Sequence, residues 1–282
     1  MAQITFIHQC YKKFSPLPLV IGFFDGLHRG HSALFKQVNK NKFNILTFIN
    51  VPSKNKDFIY SADTRLEDLK TMSPQHIFVL DLKNNNMPMS QFIVFLRKVV
   101  NPSCIYVGSN FRFGKNRLGN INELKQDLKT IIINVINKYS TSDIKTLLSK
   151  GDLLNANKML LQPYHLTGKV IKGNQYGRVL GFKTANVYND EHTLNIKAGI
   201  YAGYVFIKNH KYPAAIFVHA NNPKGQLFEA HLLNGFNTNI YNKTITIEPT
   251  KFIKVQQKTN SFKELQTVIC KSVKQVSKIL KV

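Results

Sequence analysis

Along the first 160 residues, short apolar runs alternate with stretches whose apolar positions recur every three or four residues. Leu17–Phe23, Phe43–Ile49, His76–Leu80, Cys104–Gly108 and Thr130–Ile136 read as strands. Ser32–Asn39, Ser61–Met72, Ser90–Val100 and Asn120–Leu128 read as the helices between them. Apolar strands separated by amphipathic helices predict an α/β domain, a parallel sheet covered on both faces. In such a sheet a ligand belongs beyond the strand carboxyl ends, near the point where the strand order reverses.

After Gln162-Pro163-Tyr164 the pattern changes. His165–Lys172, Gly199–Lys208, Ala214–His219, Gln226–Leu233 and Thr244–Ile253 look like short strands joined by polar turns. A helical period returns only at Ser261–Leu280. Evenly spaced short strands predict a small antiparallel β-barrel with a terminal helix. The expected organisation is therefore two domains, residues 1–162 and 163–282, with no low-complexity linker and no internal repeat. A length of 282 residues is enough for each to bury a core.

Composition narrows the class. No stretch reaches the roughly 18 uninterrupted apolar residues of a membrane span, and the first ten residues lack the basic-then-apolar pattern of a signal peptide. Cys10, Cys104 and Cys270 are few, odd in number and far apart, which points to reduced thiols in a cytoplasmic protein rather than a disulfide framework or a zinc site. The formal net charge of +24 suggests nucleic acid at first sight. Only 6 of the 39 cationic residues are arginines, however, and the lysines are spread along a chain that also holds 29 asparagines. Nucleic-acid readers concentrate arginine for bidentate and stacking contacts, so no dedicated nucleic-acid partner is expected. The charge still attracts polyanionic small molecules.

The candidate chemistry begins at the end of the first strand. Gly22-Phe23-Phe24-Asp25-Gly26-Leu27-His28-Arg29-Gly30-His31 places two imidazoles at a turn that opens a helix. Backbone N–H groups at a helix N-terminus suit an anion, glycine lets the backbone come close, and two histidines add donors to the same point. Such a site stabilises negative charge during phosphate transfer.

This stretch resembles the nucleotidylyltransferase superfamily, and within it the adenylyltransferase half of the bacterial bifunctional riboflavin kinase/FAD synthetase family. The resemblance implies a Rossmann-like fold for the first domain. It makes His28 and His31 catalytic, and Gly22, Phe23, Asp25 and Gly30 ATP-binding. Tyr106-Val-Gly-Ser-Asn-Phe-Arg-Phe-Gly-Lys-Asn-Arg-Leu-Gly119 is similar to the family's flavin loop, which implies that Asn110, Phe111 and Phe113 bind flavin. Tyr139-Ser-Thr-Ser-Asp-Ile-Lys145 is similar to its triphosphate segment, which implies ATP contacts from Ser140, Thr141, Ser142 and Lys145. Lys145 stands where the family has arginine. Thr47-Phe48-Ile49-Asn50-Val51-Pro52 lacks the histidine usual at that point.

In the second domain, Gly168-Lys-Val-Ile-Lys-Gly173 followed by Gly177-Arg178-Val-Leu-Gly181-Phe182-Lys183-Thr184-Ala185-Asn186 resembles the riboflavin kinase signature, with Lys183 in place of proline. The resemblance assigns Gly168, Gly173, Gly177 and Arg178 to ATP, and Thr184 and Asn186 to Mg²⁺. Hydroxyl and amide oxygens are hard ligands suited to that ion. Glu229-Ala-His231-Leu-Leu233 resembles the segment that holds the family's catalytic base, here Glu229. Beyond it the pattern loosens, through Pro223-Lys224 and Asn234 to Asn242. The expected substrates are riboflavin, FMN and ATP, with Mg²⁺ as cofactor and FAD as final product. The resemblance leaves room for a homo-oligomer and implies no membrane partner. Two alternatives stay open at this point: an FAD synthetase whose kinase domain has decayed into a flavin-binding module, and a basic nucleic-acid-binding protein on the same scaffold.

Overall fold

The computed structural model describes residues 2–8, 13–38, 42–52, 57–134, 139–172, 184–222, 224–233, 239–256 and 261–282. The chain separates into two compact units, one made of Met1–Asn55 with Ala62–Ser140, the other of Lys56–Ser61 with Thr141–Val282.

The first unit runs β1 (Gln3–Phe6), β2 (Leu19–Ile21), α1 (Arg29–Val38), β3 (Asn44–Ile49), α2 (Ala62–Lys70), β4 (His76–Asp81), α3 (Met89–Phe95, prolonged by a π turn at Leu96–Val100), β5 (Ile105–Gly108), α4 (Ile121–Asp127) and β6 (Thr130–Ile133). Among the described residues the strands form one parallel sheet in the order β1-β4-β3-β2-β5-β6. Leu19, Ile21, Leu46, Phe78, Leu80, Ile105 and Val107 share one core with the α3 side chains Phe92, Ile93 and Phe95. The alternate residues Val20, Ile45, Ile77 and Val79 are equally buried. Both faces are therefore covered, which is why these strands read as continuous apolar runs. The first strand is shorter than expected, because the chain turns at Gly22. Strand β1 pairs with β4 at the sheet edge and was absent from the periodicity, its burial being only partial.

The second unit holds α5 (Thr141–Lys150), α6 (Leu153–Met159), β7 (Leu166–Lys169), β8 (Thr184–Tyr188), β9 (Gly199–Ile207), β10 (His210–Asn222), β11 (Gly225–Leu232), β12 (Thr244–Lys254) and α7 (Phe262–Leu280). The strands pair antiparallel in the order β7-β12-β9-β10-β11-β8. Ile171, just past β7, then bridges Asn186 of β8 (N–H to O, 2.9 Å), so the ends of the sheet nearly meet and a barrel results. Gly168 allows that approach: a Cβ there would lie 2.5 Å from Val187 Cγ1. The even residues of β10 and β11 (Ala214, Ile216, Val218, Phe228, Ala230, Leu232) and the odd residues of β8 (Ala185, Val187) fill the interior with Ile144 and Leu148 of α5. Their neighbours face outward. Part of that outer face, Ala202, Ala215 and Phe217, is covered by Val276 and its neighbours on α7. Among the described residues no helix is long and apolar enough to cross a membrane.

Candidate active sites

In the first unit β2 lies between β3 and β5, so the strand order reverses at β2 and a crevice is expected at the carboxyl ends of β2 and β5. Both motifs read from the sequence leave the sheet there, the histidine loop from β2 and the flavin-like loop from β5. The turn after β2 is tight: Phe24 (φ 56°) and Gly26 (φ 66°) both take the left-handed conformation. The Phe24 ring folds back over Gly22, where a Cβ would lie 2.5 Å from the Phe24 Cζ. A phenylalanine held left-handed costs roughly 1–2 kcal/mol, and strain of this kind concentrates at functional turns.

The helix expected from Ser32 begins earlier, at Arg29, which places His31 in its first turn and His28 just before it. The two imidazoles stack with ring centroids 3.7 Å apart and planes 21° apart. The His28 backbone N–H donates to His31 Nδ1 at 3.4 Å, which leaves His31 Nε2 to carry its proton. His28 Nδ1 is buried and has no hydrogen-bond partner among the described residues. Burial pushes His28 down to about 4. It pushes His31 well below the usual imidazole value too, and the nearby His28 adds to that effect. Both rings are thus neutral donors near pH 7. Gly30 is needed for packing, since a Cβ there would lie 2.9 Å from His28 Cε1 and Nδ1 and 3.1 Å from the Tyr139 carbonyl.

The floor of this turn is held by a residue the sequence reading passed over. Arg65 of α2 is buried, donating from Nη1 to the Phe23 carbonyl (2.5 Å) and from Nη2 to the Phe48 carbonyl (3.0 Å). Its guanidinium also lies 4.1 Å from the centre of the Phe23 ring. Burial lowers Arg65 to about 10, and the neighbouring Asp25 carboxylate opposes that shift. Arg65 thus stays charged and ties the ends of β2 and β3 together. The only hint in the sequence was its rarity among so many lysines.

After β5, Asn110 is exposed, Phe111 half-buried and Phe113 buried. Phe113 packs on Phe92 (5.3 Å between centroids) and stacks with Phe111 (5.9 Å). It therefore supports the loop from behind. Reciprocal backbone bonds between Phe113 and Gly119, and one from Lys115 to Met87, close the loop. Tyr139 and Ser140 end this unit. Thr141, Ser142 and Lys145 lie in the first turns of α5, which groups with the second unit.

In the barrel, Glu229 of β11 and Asn186 of β8 are direct cross-strand partners, and Thr184 pairs with His231. All four point away from the barrel core. Asn186 is 5% exposed, yet its Oδ1 has no hydrogen-bond partner among the described residues. A buried unpaired oxygen costs about 1–3 kcal/mol, and a hard cation at this point would satisfy it. Thr184 is half-buried two residues away on the same face. Glu229 Oε2 lies 2.7 Å from His219 Nε2 of β10, a contact the sequence reading did not anticipate. Gly168 lies at the barrel seam, where the lack of a side chain lets β7 approach Val187. Gly173, Gly177, Arg178 and Lys183 lie outside the described residues.

Known proteins show the same two parts in the same order. A family model for FAD synthetase matches residues 12–149, and one for riboflavin kinase matches residues 160–280. The bifunctional riboflavin kinase/FMN adenylyltransferase of Mycoplasma pneumoniae is 31% identical over 262 residues, 92% of this chain and 96% of that protein. The trifunctional protein RibF/MnmA of Mycoplasmoides gallisepticum is 38% identical over 255 residues; the match takes in 89% of this chain and spans 38% of that longer protein. A crystal structure from Streptococcus pneumoniae described as a macrolide-efflux protein aligns with a TM-score of 0.80 at 25% identity, covering 98% of both chains. With the histidine turn at the sheet's reversal point, the glutamate–asparagine pair on the barrel, and a relative matched almost end to end, the chain belongs to the bifunctional riboflavin kinase/FMN adenylyltransferase family.

Proposed function

We propose that the family's two reactions are divided in this chain between the His28–His31 turn and the outer strand face that holds Thr184, Asn186 and Glu229. The chain is an enzyme of flavin-cofactor synthesis. It phosphorylates riboflavin to FMN with ATP, and it joins FMN to the adenylyl group of ATP, forming FAD and pyrophosphate.

For adenylylation, the neutral N–H groups of His28 and His31 and the first turn of α1 donate to the phosphate oxygens as the FMN phosphate attacks the α-phosphate. Such donors act on charge that develops in the transition state. Asn110 and Phe111 hold the flavin, with Phe113 supporting Phe111. On sequence resemblance alone, Ser140, Thr141, Ser142 and Lys145 are proposed triphosphate contacts, Lys145 as a point charge rather than a fork. Gly22, Phe23, Asp25 and Gly30 shape the ATP side of the turn.

For phosphorylation, Glu229 accepts the proton of the riboflavin 5′-hydroxyl as that oxygen attacks the γ-phosphate. Gly173, Gly177 and Arg178 are proposed ATP contacts on sequence resemblance alone. Thr184 and Asn186 would hold Mg²⁺, which when bound neutralises phosphate charge. The proposed compartment is the cytoplasm, where ATP and reduced thiols coexist.

The observation that carries the kinase half is the direct pairing of Glu229 with an asparagine whose buried oxygen lacks a partner among the described residues. Asn186→Ala should raise the Mg²⁺ concentration needed for half-maximal FMN formation while FAD synthesis from supplied FMN is unchanged. An unaltered Mg²⁺ dependence of FMN formation removes Asn186 from the metal site.

A further inference from the structure

We infer that His219 is a positioning residue for the kinase reaction, holding the Glu229 carboxylate in the orientation that receives the riboflavin proton. The inference rests on the assignment of Glu229 as base.

Residues 217 and 229 are register partners on β10 and β11, and the register shifts between Val218 and Asn221. His219 therefore sits diagonally from Glu229 on the same outer face, where the spacing of roughly 7–8 Å is within reach of long side chains. The shift is locked from the core side. Buried Gln226 donates from Nε2 to the His219 carbonyl (2.9 Å) and to the Ile196 carbonyl (2.9 Å), and its Oε1 accepts from the Ile196 N–H (3.0 Å). With its backbone fixed, the imidazole reaches Glu229, and Nε2–H donates to Oε2 at 2.7 Å.

The geometry divides the carboxylate into two oxygens with different tasks. Oε2 is occupied by the imidazole, and Oε1 is left to accept the hydroxyl proton. As the riboflavin oxygen bonds to the γ-phosphorus, the bond from that phosphorus to the β-phosphate oxygen breaks and ADP leaves with its electron pair. The proton passes to Oε1. Both side chains are about 30% exposed, at 31% for His219 and 30% for Glu229. A free glutamate at such exposure samples several rotamers, and a fixed donor removes that freedom before substrate arrives.

The test compares His219→Ala, His219→Gln and Glu229→Gln in the full chain. Glutamine is the conservative variant because its terminal amide can donate from about the position of imidazole Nε2. His219→Ala should lower kcat for FMN formation by about ten- to hundredfold, the effect of a misplaced catalytic group. Its KM for riboflavin, and riboflavin affinity measured by flavin fluorescence, should stay near wild type. His219→Gln should recover most of kcat. FAD synthesis from supplied FMN serves as the folding control and should be unaffected in all three. An alanine variant with wild-type kcat, or a glutamine variant no better than alanine, overturns the inference. Full FMN formation by Glu229→Gln overturns the base assignment instead, so the two failures are told apart.

Discussion

His28 and His31 show how burial sets the chemistry of the proposed phosphate site. Each ring is held neutral, so it supplies a hydrogen-bond donor without adding a full charge to the turn. The same burial links stability to pH. His28 titrates near 4 when folded, below the ordinary 6.5. Between those values the unfolded chain takes up a proton that the folded chain resists, so stability is full above about pH 6.5 and declines as pH falls toward 4. Thermal melts from pH 7 to 5 should show this fall, with a shallower slope for His28→Gln; parallel slopes would contradict it. Gly30 is a second residue-scale probe. Gly30→Ala should displace the His28 ring and cut FAD synthesis at least tenfold while riboflavin phosphorylation persists, and a fully active alanine variant would show that the turn has room to spare. The histidines and glycines were legible in the sequence because their spacing is local. Arg65 and His219 were not, since one lies 42 and 17 residues from the carbonyls it holds and the other 10 from its carboxylate. Only pairing of strands and packing of α2 bring them into place.

At the scale of elements, alternation carried most of the information. Period-two burial along β8, β10 and β11 places Thr184, Asn186, His219, Glu229 and His231 on one face, opposite an apolar core. Strand β8 itself escaped the periodicity, because Thr184–Tyr188 follows a glycine-rich stretch that reads as a turn. Helix α6 was likewise missed, being one short amphipathic segment after Gly151. Gly168 shows how a motif residue can be required by the fold. Gly168→Ala would push a methyl group into Val187 where β7 approaches β8, and overpacking of this kind costs about 1–3 kcal/mol. The expected result is a lower unfolding midpoint in denaturant with the ATP dependence of FMN formation little changed. A variant of unaltered stability with a raised KM for ATP would instead return Gly168 to the phosphate site.

At the scale of the whole molecule, the change of texture near residue 162 predicted a parallel α/β sheet followed by an antiparallel barrel, and the structure has both; its second compact unit begins earlier, at Thr141, and also takes in Lys56–Ser61. The chain's strong positive charge is spread as lysine and suits a protein that handles ATP and FMN, both polyanions. Each proposed site draws its catalytic side chains from one compact unit: His28 and His31 from the first, Glu229 and Asn186 from the second. The two chemistries should therefore separate by mutation. Purified chain given riboflavin, ATP and Mg²⁺, with FMN and FAD resolved by chromatography, tests this most directly. The unmodified protein should convert riboflavin through FMN to FAD. His28→Ala should accumulate FMN, with FAD formation down a hundredfold or more, as expected for loss of a transition-state donor worth about 2.7–4 kcal/mol. Glu229→Gln should make no FMN yet still convert supplied FMN to FAD. Near-normal FAD from His28→Ala, or an unmodified protein that makes FAD from FMN but no FMN from riboflavin, would contradict the account.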